Sequence, residues 1–256
     1  MIRPKILITN DDSINAPGIR KLISIMRKFG DVVVVAPDKP QSGMGHAITV
    51  ATPLRLKTIT IEEGYEEYIC NGTPVDCVKL AEKAILHGNP DLLVSGINHG
   101  SNASINVIYS GTMAAVLEGA IEGVTAIGFS VDDYSWSADF SHVDTFIDKI
   151  ISNVLENGLP KDTCLNVNIP KLNGSAPKGI KICRQAKAYW DEVFDARTDP
   201  HGRDYYWLTG EFVFQDKGDD TDVWALENNY VAVVPIQFDF TAHHAINKLN
   251  NYDWNV

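Results

Sequence analysis

Cysteine is scarce in this chain: four residues, Cys70, Cys77, Cys164 and Cys183, with no CxxC pair and no rhythm of a disulfide framework. This scatter argues against a thiolate zinc site or a stapled secreted scaffold and predicts reduced thiols packed in a core. Positive charge is also in short supply. Lys and Arg number 22 against 33 Asp and Glu, a formal net charge of −11. That balance argues against wrapping a nucleic-acid backbone, which needs a basic face to displace counterions. Long apolar runs are absent, and nothing approaches the roughly 20 residues of a membrane-spanning helix. The N-terminus, MIRPKILITNDD, moves straight into a strand-like run and lacks the small-residue cleavage pattern of a signal peptide. A cytoplasmic protein without nucleic-acid or membrane partners is expected. Internal repeats and low-complexity tracts are lacking too.

What is present is ordinary globular material, 45% hydrophobic and 21% charged over 256 residues, long enough to bury well over half of the unfolded surface. KILITN at 5–10 and DVVVVA at 31–36 are continuous apolar, β-branched runs, the mark of strands covered on both faces. Between them Pro17 suits a first helical turn, Ile19, Leu22, Ile23 and Met26 form an apolar stripe, and Gly30 is a stop. This is a βαβ unit, and it recurs. Thr73 and Pro74 open a helix ending near Gly88, followed by DLLVSG at 91–96; Ser110 caps a helix through Met113, Val116, Leu117 and Ile121, followed by VTAIGFSV at 124–131. Residues 142–156 read as a further helix and 164–170 as a further strand. The fold class expected is α/β, a Rossmann-like, mostly parallel sheet flanked by helices. Beyond Pro170 the texture changes to Gly, Lys, Asp and aromatics with alternating runs such as YYWLTGEFVF, which predict β-hairpins extending away from the sheet. The strand YVAVVPIQFDF and a short helix near 241–250 close the chain. A catalytic core over 1–170 and an extension over 171–256 describe this division, or a single domain with an appendage.

Ligands of open parallel sheets bind outside the carboxyl ends of the strands. The first strand delivers Asn10, Asp11 and Asp12 there; the second leads into PDKPQSGMGH with Ser42; the strand at 91–96 leads into GINHGSN with Asn98. Adjacent carboxylates repel and demand a cation or a raised pKa. Carboxylate, hydroxyl and amide oxygens suit Mg2+, Mn2+ or Ca2+. Ser110, Gly111 and Thr112 place backbone N–H groups and hydroxyls at a helix N-terminus, where anions bind, and Gly43 and Gly45 let the second loop approach a ligand. Cation plus oxyanion cradle points to phosphoryl chemistry.

Each feature alone has a plainer reading: NDDS as a turn before a helix, SGT as a cap, His99 as a solvated loop histidine, His243 and His244 as surface. Asp216, Asp219, Asp220 and Asp222 read as a solvated turn, without the spacing or closing Glu of a calcium loop. Convergence of three loops on one edge favours the site. A nucleotide-binding or sensing module without turnover is the rival, weakened by the intact acidic pair. Ser42 does not sit in a GxSxG elbow, which weighs against an acyl hydrolase.

ILITNDDSINAPGI, APDKPQSGMGHAIT, NGTPVDCV, DLLVSGINHGSN, IYSGTMAAVLEG, LNVNIP and DTDVWALENNYVAVVPIQFDFT together resemble the SurE family, stationary-phase survival proteins that act as 5'-nucleotidases. The resemblance runs from residue 6 to about 241. It implies one divalent metal, Mg or Mn, per subunit at Asp11, Asp12, Ser42 and Asn98, with Asp11, Asp12 and Asn98 catalytic. It also implies hydrolysis of nucleoside monophosphates to nucleoside and phosphate, with 3'-monophosphates and short polyphosphate as further candidate substrates. Ser110, Gly111 and Thr112 would hold phosphate, with Asn10, Gly43 and Asn102 in support. Attack by metal-activated water is the leading mechanism and attack by Asp11 its alternative. The hairpin and terminal helix are expected to serve a homodimer or homotetramer. Where the family reads NxGxD before YSGT, this chain has Ser104 and Asn106, and where a Pro is usual it has Thr125. These departures bear on loop geometry and substrate preference, not on the reaction class.

Overall fold

The computed structural model describes residues 3–254. Its first unit runs β1 (Lys5–Thr9), α1 (Pro17–Met26) and β2 (Asp31–Pro37), with β2 parallel to β1 and Ile6 opposite Val32. A hairpin follows, β3 (Leu56–Glu62) and β4 (Tyr65–Cys70), then α2 (Pro74–Leu80) continued by a π-turn at Ala81–Ile85, and β5 (Leu92–His99). Next come α3 (Asn106–Tyr109), α4 (Gly111–Ile121), β6 (Ala126–Val131), α5 (Asp144–Asn157), β7 (Cys164–Ile169) and β8 (Ile180–Ile182). The chain finishes with β9 (Ala188–Thr198), β10 (Asp204–Phe214), α6 (Asp222–Glu227), β11 (Val231–Ile236) and α7 (His243–Leu249).

Nine strands form one sheet in the order β3-β4-β2-β1-β5-β6-β7-β11-β8, and β9 and β10 form a separate antiparallel ribbon. The six strands from β4 to β7 in that order are parallel. Alternation explains why their sequences are apolar throughout. Ile6 and Ile8 join Ile19, Leu22 and Met26 of α1 and Ile147 and Ile151 of α5 on one face, while Leu7 joins Cys77 and Val78 of α2 and Met113 and Val116 of α4 on the other. All four cysteines are buried and unbridged. Among the described residues no helix is long and apolar enough to cross a membrane.

Several elements depart from the sequence reading. The hairpin β3–β4 has no counterpart in it, because β3 is an edge strand with an almost wholly exposed KTITIE face and so carries no period-2 burial signal. The extension contributes one long hairpin, paired from Asp204–Thr198 to Phe214–Ala188. Its flanking strands β8 and β11 join the main sheet, β11 antiparallel to β7 and β8 parallel to β11. The acidic run is not a solvated turn throughout. Asp222 is fully buried and accepts from the backbone N–H of Ser104 at 2.8 Å and of Ala186 at 2.9 Å. Asp216 and Asp220 clamp Arg184 at 2.5 and 2.8 Å.

The order of strands fixes where a ligand can sit. From β1 the chain steps outward to β2 and β4, then crosses back to place β5 on the other side of β1. Loops leaving β1 and β5 therefore diverge and open a crevice at their carboxyl ends.

Candidate active site

Four segments meet at that crevice. Asp11 and Asp12, on the turn after β1, are both buried, as is Asn98, the last residue but one of β5. Asp12 Oδ2 accepts the backbone N–H of His99 at 3.0 Å, which pins the second carboxylate to the end of β5. Thr112, in the first turn of α4, donates its hydroxyl to Asp11 Oδ1 at 2.5 Å. Gly111 makes this approach possible, since a Cβ there would lie 2.7 Å from Asp11 Cβ. The loop after β2 is tied in by its backbone: Gln41 N–H donates to the Asp11 carbonyl at 2.7 Å and Gly45 N–H to the Tyr109 carbonyl at 3.1 Å. A register shift against β6 between Ser95 and Asn98 turns the end of β5 toward the crevice. Gly18 lets α1 lie directly beneath it, because a Cβ there would meet the Ile97 carbonyl oxygen at 1.9 Å.

The electrostatics of this pocket are those of an acidic pair short of a counter-charge. Burial, reinforced by the charge of Asp12, pushes the Asp11 carboxyl up to about 6; hydrogen bonds from the Thr112 hydroxyl and backbone oppose the rise. Burial likewise raises Asp12, against the His99 N–H. Both groups are thus disfavoured as anions until a cation arrives. Asn98 donates its amide to the Gly100 carbonyl at 2.8 Å, which leaves its Oδ1 as a ligand atom. Asn10 donates to the Ser13 carbonyl at 2.8 Å while its buried Oδ1 has no hydrogen-bond partner. Among the described residues, no three His, Cys, Asp or Glu side chains gather to hold a metal. The donor set is instead two carboxylates with neutral oxygens, which fits a hard divalent cation that keeps part of its water shell.

The other residues singled out in the sequence occupy varied positions. Ser42 and Gly43 lie exposed on the loop after β2, Gly43 with φ at +75°. Ser110 caps α4, its Oγ accepting from Met113 N–H at 3.0 Å. The Ser110 and Thr112 hydroxyls are therefore both engaged within the protein. Asn102 donates its side-chain amide to Ser130 Oγ at 2.9 Å and its backbone N–H to Asn168 Oδ1 at 2.8 Å, while its carbonyl accepts from Asn166 Nδ2 at 2.8 Å. The sequence reading passed over Asn166 and Asn168; two asparagines alternating in an otherwise apolar buried strand, LNVNIP, were the available signal. His99 is not a solvated loop residue. Its ring stacks on Trp136 at 5.5 Å, meets Phe140 edge-on at 5.2 Å and places Nδ1 2.9 Å from the Ser135 carbonyl. His243 pairs with Asp239 at 2.9 Å on the surface.

A second network escaped the sequence reading because its members lie far apart in the chain. His46 Nε2 sits 2.8 Å from Glu118 Oε2, and Lys79 meets the other oxygen of the same carboxylate. Thr49 gives its backbone N–H and hydroxyl to Asp76 at 3.0 and 2.6 Å, while Thr73 donates to the Ala47 carbonyl at 2.8 Å. The exposed loop that carries Ser42 is thereby fastened to α2 and α4.

Residues 6–192 match the family model of the survival protein SurE. The chain is 62% identical over its full length to the 5'-nucleotidase SurE of Flavobacterium psychrophilum, all of which is covered. It is 57% identical to that of Cytophaga hutchinsonii, covering 99% of this chain and 98% of the relative. The crystal structure of the SurE protein from Aquifex aeolicus superposes with a TM-score of 0.83 at 38% identity, covering 96% of this chain and 98% of that one. With this match across the sheet and the acidic turn, the chain belongs to the SurE family of survival proteins.

Proposed function

We propose that this enzyme hydrolyses nucleoside 5'-monophosphates to nucleoside and phosphate, using one divalent cation, Mg2+ or Mn2+, per subunit. The observation that carries this reading is the buried Asp11–Asp12 pair, both carboxyls raised and facing a crevice otherwise lined by neutral oxygen donors. The name 5'-nucleotidase borne by full-length relatives supports it.

Asp11, Asp12, Asn98 and Ser42 would hold the cation, which when bound neutralises phosphate charge and lowers the pKa of a water. The protein's own share is positional. Thr112 fixes Asp11, the His99 N–H fixes Asp12, and Gly100 turns Asn98, so the ligand atoms are set before substrate arrives. The N-terminus of α4 points its positive end at the same edge, where Gly111 brings backbone close to the phosphate. Asn10 and Asn102 hold the turns on either side. Exposed apolar residues on the hairpin, Val193, Phe194, Tyr206 and Trp207 among them, and α7 with no buried residue support a homodimer or homotetramer built through the extension.

Phosphate release from nucleoside 5'- and 3'-monophosphates and short polyphosphate, with Mg2+, with Mn2+ and with chelator, tests the reading beside Asp11→Asn. Release from 5'-monophosphates that needs metal and falls on the order of 10²–10³-fold in the variant is expected. Folded protein that binds nucleotide but releases no phosphate with any metal would move the non-turnover binding module to the front.

A further inference from the structure

A cavity of about 490 Å3 lies beside the catalytic edge, lined by Gly43, Tyr109, Trp190, Glu192, Leu208 and Gly210. Its volume falls within the roughly 300–1,000 Å3 of small-molecule sites. One wall belongs to the extension. Paired residues of an antiparallel ribbon share a face, so Trp190 with Phe212 and Glu192 with Gly210 look the same way, and Gly210 leaves the floor without a side chain. The other wall is Tyr109, which precedes the phosphate-side cap Ser110 and whose carbonyl is bound by Gly45 of the Gly43 loop.

Trp190 is 37% exposed, yet it is held. Its indole N–H donates to Asn106 Oδ1 at 2.8 Å, and its ring meets Phe212 edge-on at 5.4 Å. An uncovered aromatic face that is already fixed loses little freedom when a flat ligand stacks on it. Glu192 adds an acceptor on the same face.

The geometry points to this slot as the seat of the nucleobase: Trp190 is a specificity-determining residue that stacks the base, and Glu192 accepts N–H groups from the base edge. The inference rests on the phosphatase reading and names the half of the substrate that the metal side does not touch. Gly111 abuts Asp11 and stands two residues after Tyr109, so a phosphate held at that edge would have the Tyr109 and Gly43 wall of the slot beside it. Stacking tolerates any base, and the carboxylate favours bases that offer N–H donors.

The test compares kcat/KM for GMP with that for ribose 5-phosphate, which has no base, in wild type, Trp190→Leu, Trp190→Phe and Glu192→Ala. Trp190→Leu is expected to lower the GMP to ribose 5-phosphate ratio roughly fivefold or more, mainly through KM for GMP. Trp190→Phe, which keeps a ring, should restore most of it, and Glu192→Ala should lower it. A ratio that stays put, or equal losses on both substrates, overturns the slot. Wild type that hydrolyses neither compound overturns the phosphatase reading instead. Equilibrium dialysis of GMP against the same variants then decides the slot separately: weaker GMP binding by Trp190→Leu supports it, and unchanged binding sinks it.

Discussion

Thr112 reaches across 101 positions of sequence to donate its hydroxyl to Asp11 Oδ1 at 2.5 Å. A helix cap region and a strand-end carboxylate thus form one unit, in which the helix both orients the acid and favours its anionic form. The same hydroxyl, taken alone in the sequence, reads as a phosphate contact; in the fold it serves the carboxylate.

Removal of that donor should raise the Asp11 carboxyl above its value of about 6. Protonation then competes with the cation at neutral pH, so Thr112→Val should weaken Mn2+ affinity at pH 7 by about twofold for the first unit of rise, approaching tenfold per unit only once the carboxyl lies above 7. Thr112→Ser keeps the donor and should bind as wild type. Calorimetric titration of metal into both variants checks this, and equal affinities would show that the hydroxyl has no hold on the acid.

Gly111→Ala places a methyl 2.7 Å from Asp11 Cβ, with nowhere to go because both partners are buried backbone-anchored groups. A stability loss of about 1–3 kcal/mol is expected from the forced shift. Activity should fall much further than in Gly88→Ala, where a Cβ meets nothing within 4 Å and φ is not positive. Denaturant titration and phosphate release on the two variants separate the effects.

Glu82, fully buried in the π-turn with neither oxygen hydrogen-bonded, is pushed up to about 7 by burial and then by Glu122, with Glu118 adding to the rise and Lys83 and Lys79 opposing it. Below pH 4.5 folded and unfolded chains both hold the proton and the group costs nothing. Between 4.5 and about 7 the unfolded chain ionises first, so stability falls as pH rises, by at most about 3 kcal/mol at 1.36 kcal/mol per unit. Glu82→Gln should therefore raise the melting temperature by several degrees at pH 8 and leave it unmoved at pH 4.5. A gain of equal size at both values would assign it to packing instead of charge.

His46→Ala removes one of the ties between the Ser42 loop and α4 and leaves Glu118 still paired with Lys79. The expected result is a loop that samples more positions, seen as faster amide exchange over 41–50 and a several-fold higher metal concentration for half-maximal activity. His46→Gln, which can still donate to Glu118, should recover most of both. Unchanged exchange would mean that Thr49 and Thr73 hold the loop without it.

Much of this molecule was legible in advance where one signal dominated. The apolar runs at Ile6–Ile8 and Val32–Val35 could only be doubly covered strands, and NDD, SGIN and SGT converge because parallel strands all end at one edge. The edge strand β3 was not legible, since it buries nothing and its pairing with β4 is mostly a backbone matter. Nor were the partners of Thr112, Asp222 or His46, because a hydrogen bond between residues 72 to 118 positions apart leaves no local pattern. The polar network of Asn102, Asn166 and Asn168 stood in view and was missed for a simpler reason, that its strand reads as apolar.

The crossing of the chain from β4 back to β5 separates the acidic pair from its orienting helix by a full lap of the sheet. Any contiguous peptide that carries the centre must therefore span at least Asp11 to Thr112, 101 positions of chain. A nascent chain that has left the ribosome only as far as His99 already holds both carboxylates but has no Thr112 to steer the first of them. The Asp11 carboxylate gains its orienting hydroxyl only once α4 has been made and packs against β5 and β6.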